Sequence, residues 1–253
     1  MIAVCQQPNY FSWLGYFEQC ARAERLILLD SVQWIKNGLQ NRAKISPHIA
    51  ESQKNPTEDF QWLSLPVLGQ GHRSKTFGEM LLNPDDNWAD RHWKTIRAVY
   101  AKRPQFKSQL EPLLRPWFEQ ANQYRTLSEA TVASMKVCFE ALDLRPEIVL
   151  SSSLSGTDQT LVKSDRIVSL CKATGADVYY SGLASASYID TGAFRDADIR
   201  LLWQRWKHTE YEQGRGLFKS HLSIIDALAN VPLKEIKSWL EIKPWGPFGN
   251  IVP

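Results

Sequence analysis

The sequence predicts an α/β fold built on a parallel sheet, with a helical insertion and C-terminal helices. Apolar runs at 2–5 and 26–29 are typical of buried strands, and residues 13–23 between them carry apolar side chains at helical spacing. A strand, a helix and a second strand in quick succession form a βαβ unit, whose two strands are parallel. Further strand signals follow a long helical block, at 147–150, 177–182 and 199–206.

The rest of the chain is predicted to form one more strand and six helices. A polar, proline-marked loop at 46–60 precedes a strand predicted at 61–67. The block at about 84–144 indicates a mainly helical insertion, in which Ser128 is the expected N-cap of the last helix. Helices are predicted at 87–102, 105–121, 126–144, 163–176, 222–230 and 233–242. Since no repeat or linker separates these parts, we expect residues 1–253 to form a single α/β domain.

The amino-acid composition favours a globular protein and disfavours membrane, secreted and DNA-binding proteins. Hydrophobic residues make up 43% and charged residues 23% of the 253 residues, as in ordinary globular proteins. No segment approaches the roughly 20 apolar residues of a membrane span, and the N-terminus has no signal-peptide pattern. We therefore expect a cytoplasmic protein with no membrane partner. The net charge of +3 is scattered, which disfavours DNA as a partner.

Cysteine usage and motif searches exclude several chemistries. The four cysteines are far apart without a CxxC pair, which favours reduced core thiols over a disulfide framework or a metal site. The sequence has no GxxxxGK[ST], GxGxxG, GxSxG or HExxH motif. Kinase, dehydrogenase, α/β-hydrolase and zincin functions therefore lose their usual support.

Polar residues follow the predicted strands where ligands bind in parallel sheets, beyond the carboxyl ends. Gln7 and Asn9 follow the first strand, where their amides can bind a ligand or merely cap the next helix. Asp30 ends the second strand, and a carboxylate there is costly unless it is paired. Ser181 and Gly182 leave a later strand, and their backbone amides can bind a phosphate or carboxylate.

Several of these stretches resemble the WbqC-like family. The resemblance rests on Gln7, Asn9-Tyr10, Trp13 and Gly15-Tyr16-Phe17, and continues almost to the end of the chain. Its later motifs are Asp30, Val32-Gln33, Asn41-Arg42, "WLSLPV", "NW…HWKTI", "TDQTLVKSDRIVSLCKATGADVYYSG", Tyr188-Ile189 and "LSIIDALAN". Ser12 stands where the family usually has proline, and Ser31 stands where it usually has a second acid. The second departure weakens any role that needs paired carboxylates, such as metal binding.

The resemblance, together with the chemistry of the residues, gives the site prediction. Tyr10, Gln33, Asn41 and Tyr188 join the residues named above as expected substrate-binding residues. Arg42 is the expected partner of Asp30 or of a substrate anion, and a structural ion pair is the alternative. Asp30 and His92 are the expected catalytic residues, with His92 as the base. The alternative for His92 is a hydrogen-bonded core histidine.

The family accompanies bacterial pathways of surface-polysaccharide and amino-sugar assembly, which implies transfer of an activated aminoacyl or acyl group onto an amine. A carrier-protein thioester, an aminoacyl-tRNA or an acyl-adenylate would serve as donor, and a small molecule such as an amino sugar as acceptor. The opening unit also looks like the Rossmann fold of nucleotidylyltransferases, so an ATP-dependent enzyme is one alternative, although the HxGH signature is missing. A non-catalytic module that binds a small molecule or a carrier protein is the other.

Overall fold

A computed structural model of the chain describes residues 1–36, 38–47, 60–69, 74–214 and 217–240. Most of the predicted loop at 46–60 and the last two residues of the predicted helix at 233–242 lie outside these ranges. The strands are β1 (Ile2–Gln6), β2 (Arg25–Leu28), β3 (Arg42–Ile45), β4 (Gln61–Ser64), β5 (Glu147–Leu150), β6 (Val178–Ser181) and β7 (Arg200–Trp203). The helices are α1 (Leu14–Arg22), α2 (Trp88–Tyr100), α3 (Glu111–Gln120), α4 (Leu127–Leu142), α5 (Lys163–Ala173), α6 (Thr191–Asp196), α7 (Ile224–Asn230) and α8 (Leu233–Leu240).

Five strands form a parallel sheet in the order β5-β2-β1-β6-β7. Counted along the chain as the strands of this sheet alone, the order is 3-2-1-4-5, which is that of the Rossmann fold. The predicted Rossmann-like α/β fold is therefore confirmed. The order reverses between β1 and β6, so the topological switch point lies at the carboxyl ends of these two strands.

The sheet is covered on both faces because its side chains alternate between two apolar clusters. Val4 and Tyr180 face the larger cluster, which includes α1 and the helices of the long connection. Cys5 and Tyr179 face the smaller cluster, which includes Leu170 of α5. Strands buried on both faces have continuous apolar sequences, and this explains the short unbroken runs that predicted them.

A long connection joins β2 to its neighbour β5. It begins with an antiparallel hairpin of β3 and β4, in which Arg42 lies opposite Ser64. The strand predicted at 61–67 is thus shorter and belongs to this hairpin instead of the main sheet. Helices α2, α3 and α4 follow within the predicted insertion, and Pro116 lies inside α3. No helix in the described part of the chain combines the length and apolarity of a membrane span.

The N-terminus of α4 differs from the prediction by two residues. Thr126 is the N-cap: its side chain accepts a hydrogen bond from the Glu129 backbone at 3.1 Å, and the Glu129 carboxylate accepts one from the Thr126 backbone at 3.0 Å. This reciprocal capping box satisfies two backbone donors at once, which Ser128 cannot do from inside the first turn.

Substitution of Thr126 by alanine should lower the free energy of unfolding by about 1 kcal/mol, because the helix loses its cap. Ser128→Ala is the matched control and should leave the free energy of unfolding nearly unchanged. Urea titrations of the two variants and the wild type measure the difference. A larger loss in Ser128→Ala than in Thr126→Ala would contradict the assignment of the cap.

Candidate functional site at the carboxyl edge of the sheet

The carboxyl ends of β1 and β6 diverge at the switch point. Their pairing comprises two register positions, Ile2 with Val178 and Ala3 with Tyr179, whereas β1 stays paired with β2 as far as Gln6. The ends of the two strands therefore separate at the position where open α/β sheets have their ligand-binding crevice. Of the predicted residues, Gln7 and Asn9 follow the end of β1, Ser181 is the last residue of β6 and Gly182 follows it.

A buried polar network fills the floor of this crevice. The Gln6 side-chain amide donates to Gln19 of α1, and the Gln19 amide donates to Gln204 at 2.6 Å. The Gln204 amide in turn donates to the carboxylate of Glu18 at 2.7 Å and to the backbone carbonyl of Gly15 at 2.6 Å. Since Glu18, Gln19 and Gln204 are all buried, each hydrogen bond replaces one to water.

Glu18 is the anionic end of the network. Its carboxylate accepts hydrogen bonds from the Tyr180 hydroxyl at 3.0 and 3.1 Å and from Arg22, four residues further along α1. Burial and the nearby Glu18 charge raise the pKa of Tyr180, so its hydroxyl stays a donor at neutral pH. The sequence analysis missed this site, although two polar residues in the middle of an otherwise apolar helix were a signal for it.

Two glycines make close contacts around the network. A Cβ atom at Gly182 would come within 2.9 Å of the Gln19 amide nitrogen, so this predicted ligand-binding residue also allows β6 to approach α1. At Gly15 a Cβ would lie 2.0 Å from the ring of Trp13. The Trp13 ring therefore lies against the Cα atom of Gly15 in the first turn of α1.

Two histidines pack on Trp13. The ring centroids of His208 and His221 are 4.4 Å apart, and they lie 5.3 and 4.7 Å from that of Trp13. Burial and the neighbouring His221 lower the pKa of His208 to about 4, and its Nε2 atom is buried with no hydrogen-bond partner among the described residues. His221 is exposed, and its pKa is lowered by partial burial and by the charge of Lys44.

This cluster was not predicted as a site, because its members come from three separate segments. His208 follows β7, whereas Trp13 and Ser223, which is two residues after His221, form an isolated β-bridge. Both histidines are neutral near pH 7, since their pKa values lie below the ordinary value. Neutral imidazoles can accept a proton from a bound substrate.

Asp30 lies at the neighbouring end of β2, where it is buried. Its carboxylate accepts hydrogen bonds from the Ser151 hydroxyl at 2.9 Å, from the Ser152 backbone at 2.9 Å and from the Ser152 hydroxyl at 2.5 Å. These serines follow β5, so Asp30 joins the ends of two adjacent strands. The expected Asp30–Arg42 hydrogen bond is not formed, because the partners of Asp30 are serines.

Three other predicted substrate-binding residues, Arg42, Asn41 and Gln33, do not lie at this edge of the sheet. The Arg42 guanidinium lies 4.0 Å from the centroid of the Trp62 ring, which is a cation–π contact within the hairpin. The Asn41 amide nitrogen donates to the Leu65 carbonyl at 3.5 Å, and its buried oxygen has no hydrogen-bond partner in the described ranges. Gln33 is exposed and forms an isolated β-bridge with Thr76.

The residues of the switch point differ in exposure. Gln7 is partly exposed, and its backbone carbonyl accepts from the Tyr16 hydroxyl at 3.0 Å. Asn9 donates to the Ser12 hydroxyl at 3.5 Å. The hydroxyl of Ser181 is buried at 2.6 Å from that of Ser185. Tyr188, with 60% of its surface exposed, is free to contact a ligand.

Tyr10 and His92 lie in the core instead of the crevice. Tyr10 is fully buried, and its hydroxyl donates to His92 Nδ1 at 3.0 Å. His92 Nε2 donates to the Ser64 carbonyl at 3.1 Å, and 3% of the residue is exposed. Both ring nitrogens are thus used within the protein. Of the two alternatives for His92, the geometry favours a hydrogen-bonded core histidine, and Tyr10 is its hydrogen-bond partner.

A separate cleft of about 650 Å³ opens at the opposite edge of the sheet. It is lined by residues around α6 and the amino end of β7, including Asp177, Arg195 and Arg200. None of the predicted site residues lines it, and parallel sheets bind ligands at the carboxyl edge. Within the described ranges, no group of three or more histidine, cysteine or acidic side chains is arranged to hold a metal ion.

The fold and the residues at the carboxyl edge of the sheet together define an α/β protein of the Rossmann type with a polar switch point. The profile of the WbqC-like protein family matches residues 7–238, so the chain belongs to this family. It is also similar to the uncharacterized protein Rv1507c of Mycobacterium tuberculosis, with 27% identity over 226 residues. That match covers 89% of this chain and 91% of the relative. No solved structure matches the chain.

The burial of His92 predicts acid sensitivity. Burial lowers the pKa of His92 to about 4, whereas the unfolded chain has the ordinary value near 6.5. Between these values the unfolded state binds more protons, so the free energy of unfolding falls as the pH falls. The His92 contribution from pH 7 to pH 5 is about 2 kcal/mol. His92→Gln should remove it, while costing about 1–3 kcal/mol at pH 7 through the lost hydrogen bonds.

Urea unfolding at pH 7 and pH 5 measures this difference. Arg97→Gln, an exposed change on the same helix, is the control and should keep the acid dependence of the wild type. Equal pH dependence in His92→Gln and in the wild type would show that His92 is protonated in the folded protein, contrary to its burial.

Proposed function

We propose that the protein is a cytoplasmic transferase that moves an activated acyl or aminoacyl group onto an amine acceptor, such as an amino sugar, at the carboxyl edge of the sheet. The observation that carries the proposal is the pair of neutral imidazoles on Trp13, beside the crevice of the switch point. Family membership supports it, because the resemblance of the sequence to WbqC-like proteins implies this class of reaction.

The chemistry requires a proton acceptor. The amine nitrogen attacks the carbonyl carbon of a thioester, an ester or an acyl-adenylate, and a C–N bond forms. The nitrogen loses a proton to a base as the tetrahedral intermediate collapses. The C–S bond of the thioester, or the C–O bond of the ester or acyl-adenylate, breaks, and a thiolate, an alkoxide or AMP leaves. A thiolate or alkoxide then takes the proton back from the base. His221 is exposed and neutral, so we assign it the role of the base that receives this proton. His208 is then a positioning residue, which packs against the His221 ring.

The crevice supplies groups for orienting the acceptor. Gln7 and Asn9 present amides at the end of β1, and Tyr188 presents an exposed ring after β6. Gln6, the outermost residue of the buried network, is held by Gln19. A rigid floor of this kind keeps an acceptor in the geometry that attack requires, which is a large part of catalysis.

Nucleotidylyl transfer from ATP is a second candidate. The observation in its favour is the strand order, since the Rossmann order places a nucleotide at the switch point between β1 and β6. An ATP–pyrophosphate exchange assay separates it from acyl transfer, because adenylate formation alone produces exchange. Ligand binding without turnover of any kind would favour the binding-module alternative.

His221→Gln should lower the rate of acyl transfer by about 100-fold while leaving the melting temperature nearly unchanged, because His221 is exposed. The assay incubates the protein with acyl and aminoacyl thioesters and a panel of amino sugars, and measures amide products by mass spectrometry. Lys207→Gln, an exposed change beside His208, is the control and should retain the wild-type rate. Full turnover by folded His221→Gln would remove His221 from the mechanism.

A further inference from the structure

Asp226 of α7 is a buried carboxylate that the proposed reaction does not use. No part of the residue is exposed, and it forms no ion pair within the described ranges of the chain. One of its oxygens accepts a hydrogen bond from the Tyr100 hydroxyl and the other from the Tyr211 hydroxyl, each at 2.9 Å. A buried carboxylate without a cation costs stability, so these two hydroxyl groups are needed to satisfy it.

The surroundings of Asp226 leave it ionised at neutral pH. Burial raises its pKa to about 6, and hydrogen bonds from the two tyrosines, the charge of Arg103 and a hydrogen bond from Gln213 oppose the rise. Asn230, four residues further along α7, donates to the same carboxylate at 3.5 Å. At pH 7 the carboxylate is therefore charged, and both of its oxygens accept from the tyrosines.

Tyr211 belongs to the segment that carries both histidines of the Trp13 cluster. It lies three residues after His208, and its ring packs against that of Phe218, with the centroids 5.4 Å apart. Phe218 in turn lies three residues before His221, and its ring centroid is 6.3 Å from that of His208. The hydrogen bond from Tyr211 therefore attaches this segment to α7 at a point between the two histidines.

Gln213 joins the two described parts of the same segment, 208–214 and 217–221. Its side-chain nitrogen donates to the Lys219 carbonyl at 3.0 Å, and its side-chain oxygen accepts from the Lys219 backbone at 2.7 Å. Because Gln213 is buried, water does not compete for these two hydrogen bonds. A contact that holds Tyr211 therefore also restrains the part of the segment that leads to His221.

We propose that Asp226 is a positioning residue, which acts through Tyr211 to hold the two histidines against the Trp13 ring. The hydroxyl of Tyr211 is held by the carboxylate, its ring packs on Phe218, and Phe218 packs near His208. This arrangement keeps Nε2 of His208 buried and the two imidazole centroids 4.4 Å apart. The use of the histidines in proton transfer rests on the proposed function, whereas their positioning does not depend on a reaction.

Tyr211→Phe and Tyr100→Phe test this role as a matched pair, because each removes one hydroxyl group from the same carboxylate. Only Tyr211→Phe also releases the segment that carries the histidines. The ring remains to pack on Phe218 and Trp239, so this variant should fold. Tyr100→Phe loses in addition the oxygen that accepts from the Ser46 backbone, so its melting temperature should fall at least as far.

Diethyl pyrocarbonate, which acylates neutral imidazole nitrogens, measures the exposure of His208 at pH 7 through mass spectrometry of the modified peptides. The modification rate of His208 should rise at least about fivefold in Tyr211→Phe, because its buried Nε2 becomes accessible when the segment opens locally. In Tyr100→Phe the rate should stay within about twofold of the wild type. His92, buried in the core, is the internal control for global unfolding and should stay unmodified in the wild type and in both variants.

Where the wild type transfers acyl groups, Tyr211→Phe should also lower kcat with KM nearly unchanged, because it displaces the proposed base and not the acceptor. Absence of acyl transfer in the wild type would remove the proposed function and leave the difference in modification between the two variants intact. An unchanged modification rate of His208 in folded Tyr211→Phe, or equal rises in both variants, would overturn the positioning role, whether or not the wild type is active.

Discussion

A buried carboxylate on the first helix sets the arrangement of the carboxyl edge. Leu14–Cys20 of α1 is buried on every side, so the charge of Glu18 has to be satisfied within the protein. Tyr180 of β6, Gln204 after β7 and Arg22 of α1 supply the donors. These bonds fix the ends of two strands against α1. The crevice between β1 and β6 therefore has a rigid polar floor instead of an apolar one.

The neighbouring features follow from this constraint. Gly182 leaves room for Gln19, and Gly15 lets the Trp13 ring lie on α1. Trp13 in turn supports the two histidines that we assign to proton transfer and its positioning. At the other end of the edge, Asp30 holds the serines after β5. The polar floor, the proposed proton acceptor and Asp30 thus lie along one edge of the sheet.

The sequence predicts the fold well because its strongest signals are local. Short apolar runs bounded by polar residues indicate strands buried on both faces, and helical spacing between them indicates the crossover. The parallel sheet then places Gln7, Asp30 and Gly182 on one edge. Asp30 was expected to be paired, because an isolated buried carboxylate is unstable, but the expected partner was Arg42 and the observed partners are serines.

The partners of these residues depend on contacts between distant segments, which no local pattern reveals. Ser151 is 121 residues from Asp30, and His92 gave the same periodic signal whether it served the core or the site. His208 and His221 meet only because the segment after β7 and the segment before α7 both reach Trp13. Their positions in separate loops gave no indication that the two rings would touch.

A double-mutant cycle between Glu18 and Gln204 tests the central role of this carboxylate most directly. Gln204→Glu places a second carboxylate beside Glu18. The double variant, Glu18→Gln with Gln204→Glu, has one carboxylate in the pair, as the wild type does. Gln204→Glu loses the hydrogen bond to the Gly15 carbonyl in both backgrounds, so this loss cancels in the cycle. Unfolding free energies at pH 7 should give a coupling of about 1–3 kcal/mol, with the double variant more stable than the sum of the single changes predicts. Additive effects would contradict the account, because they would mean that Glu18 and Gln204 do not interact in the folded protein.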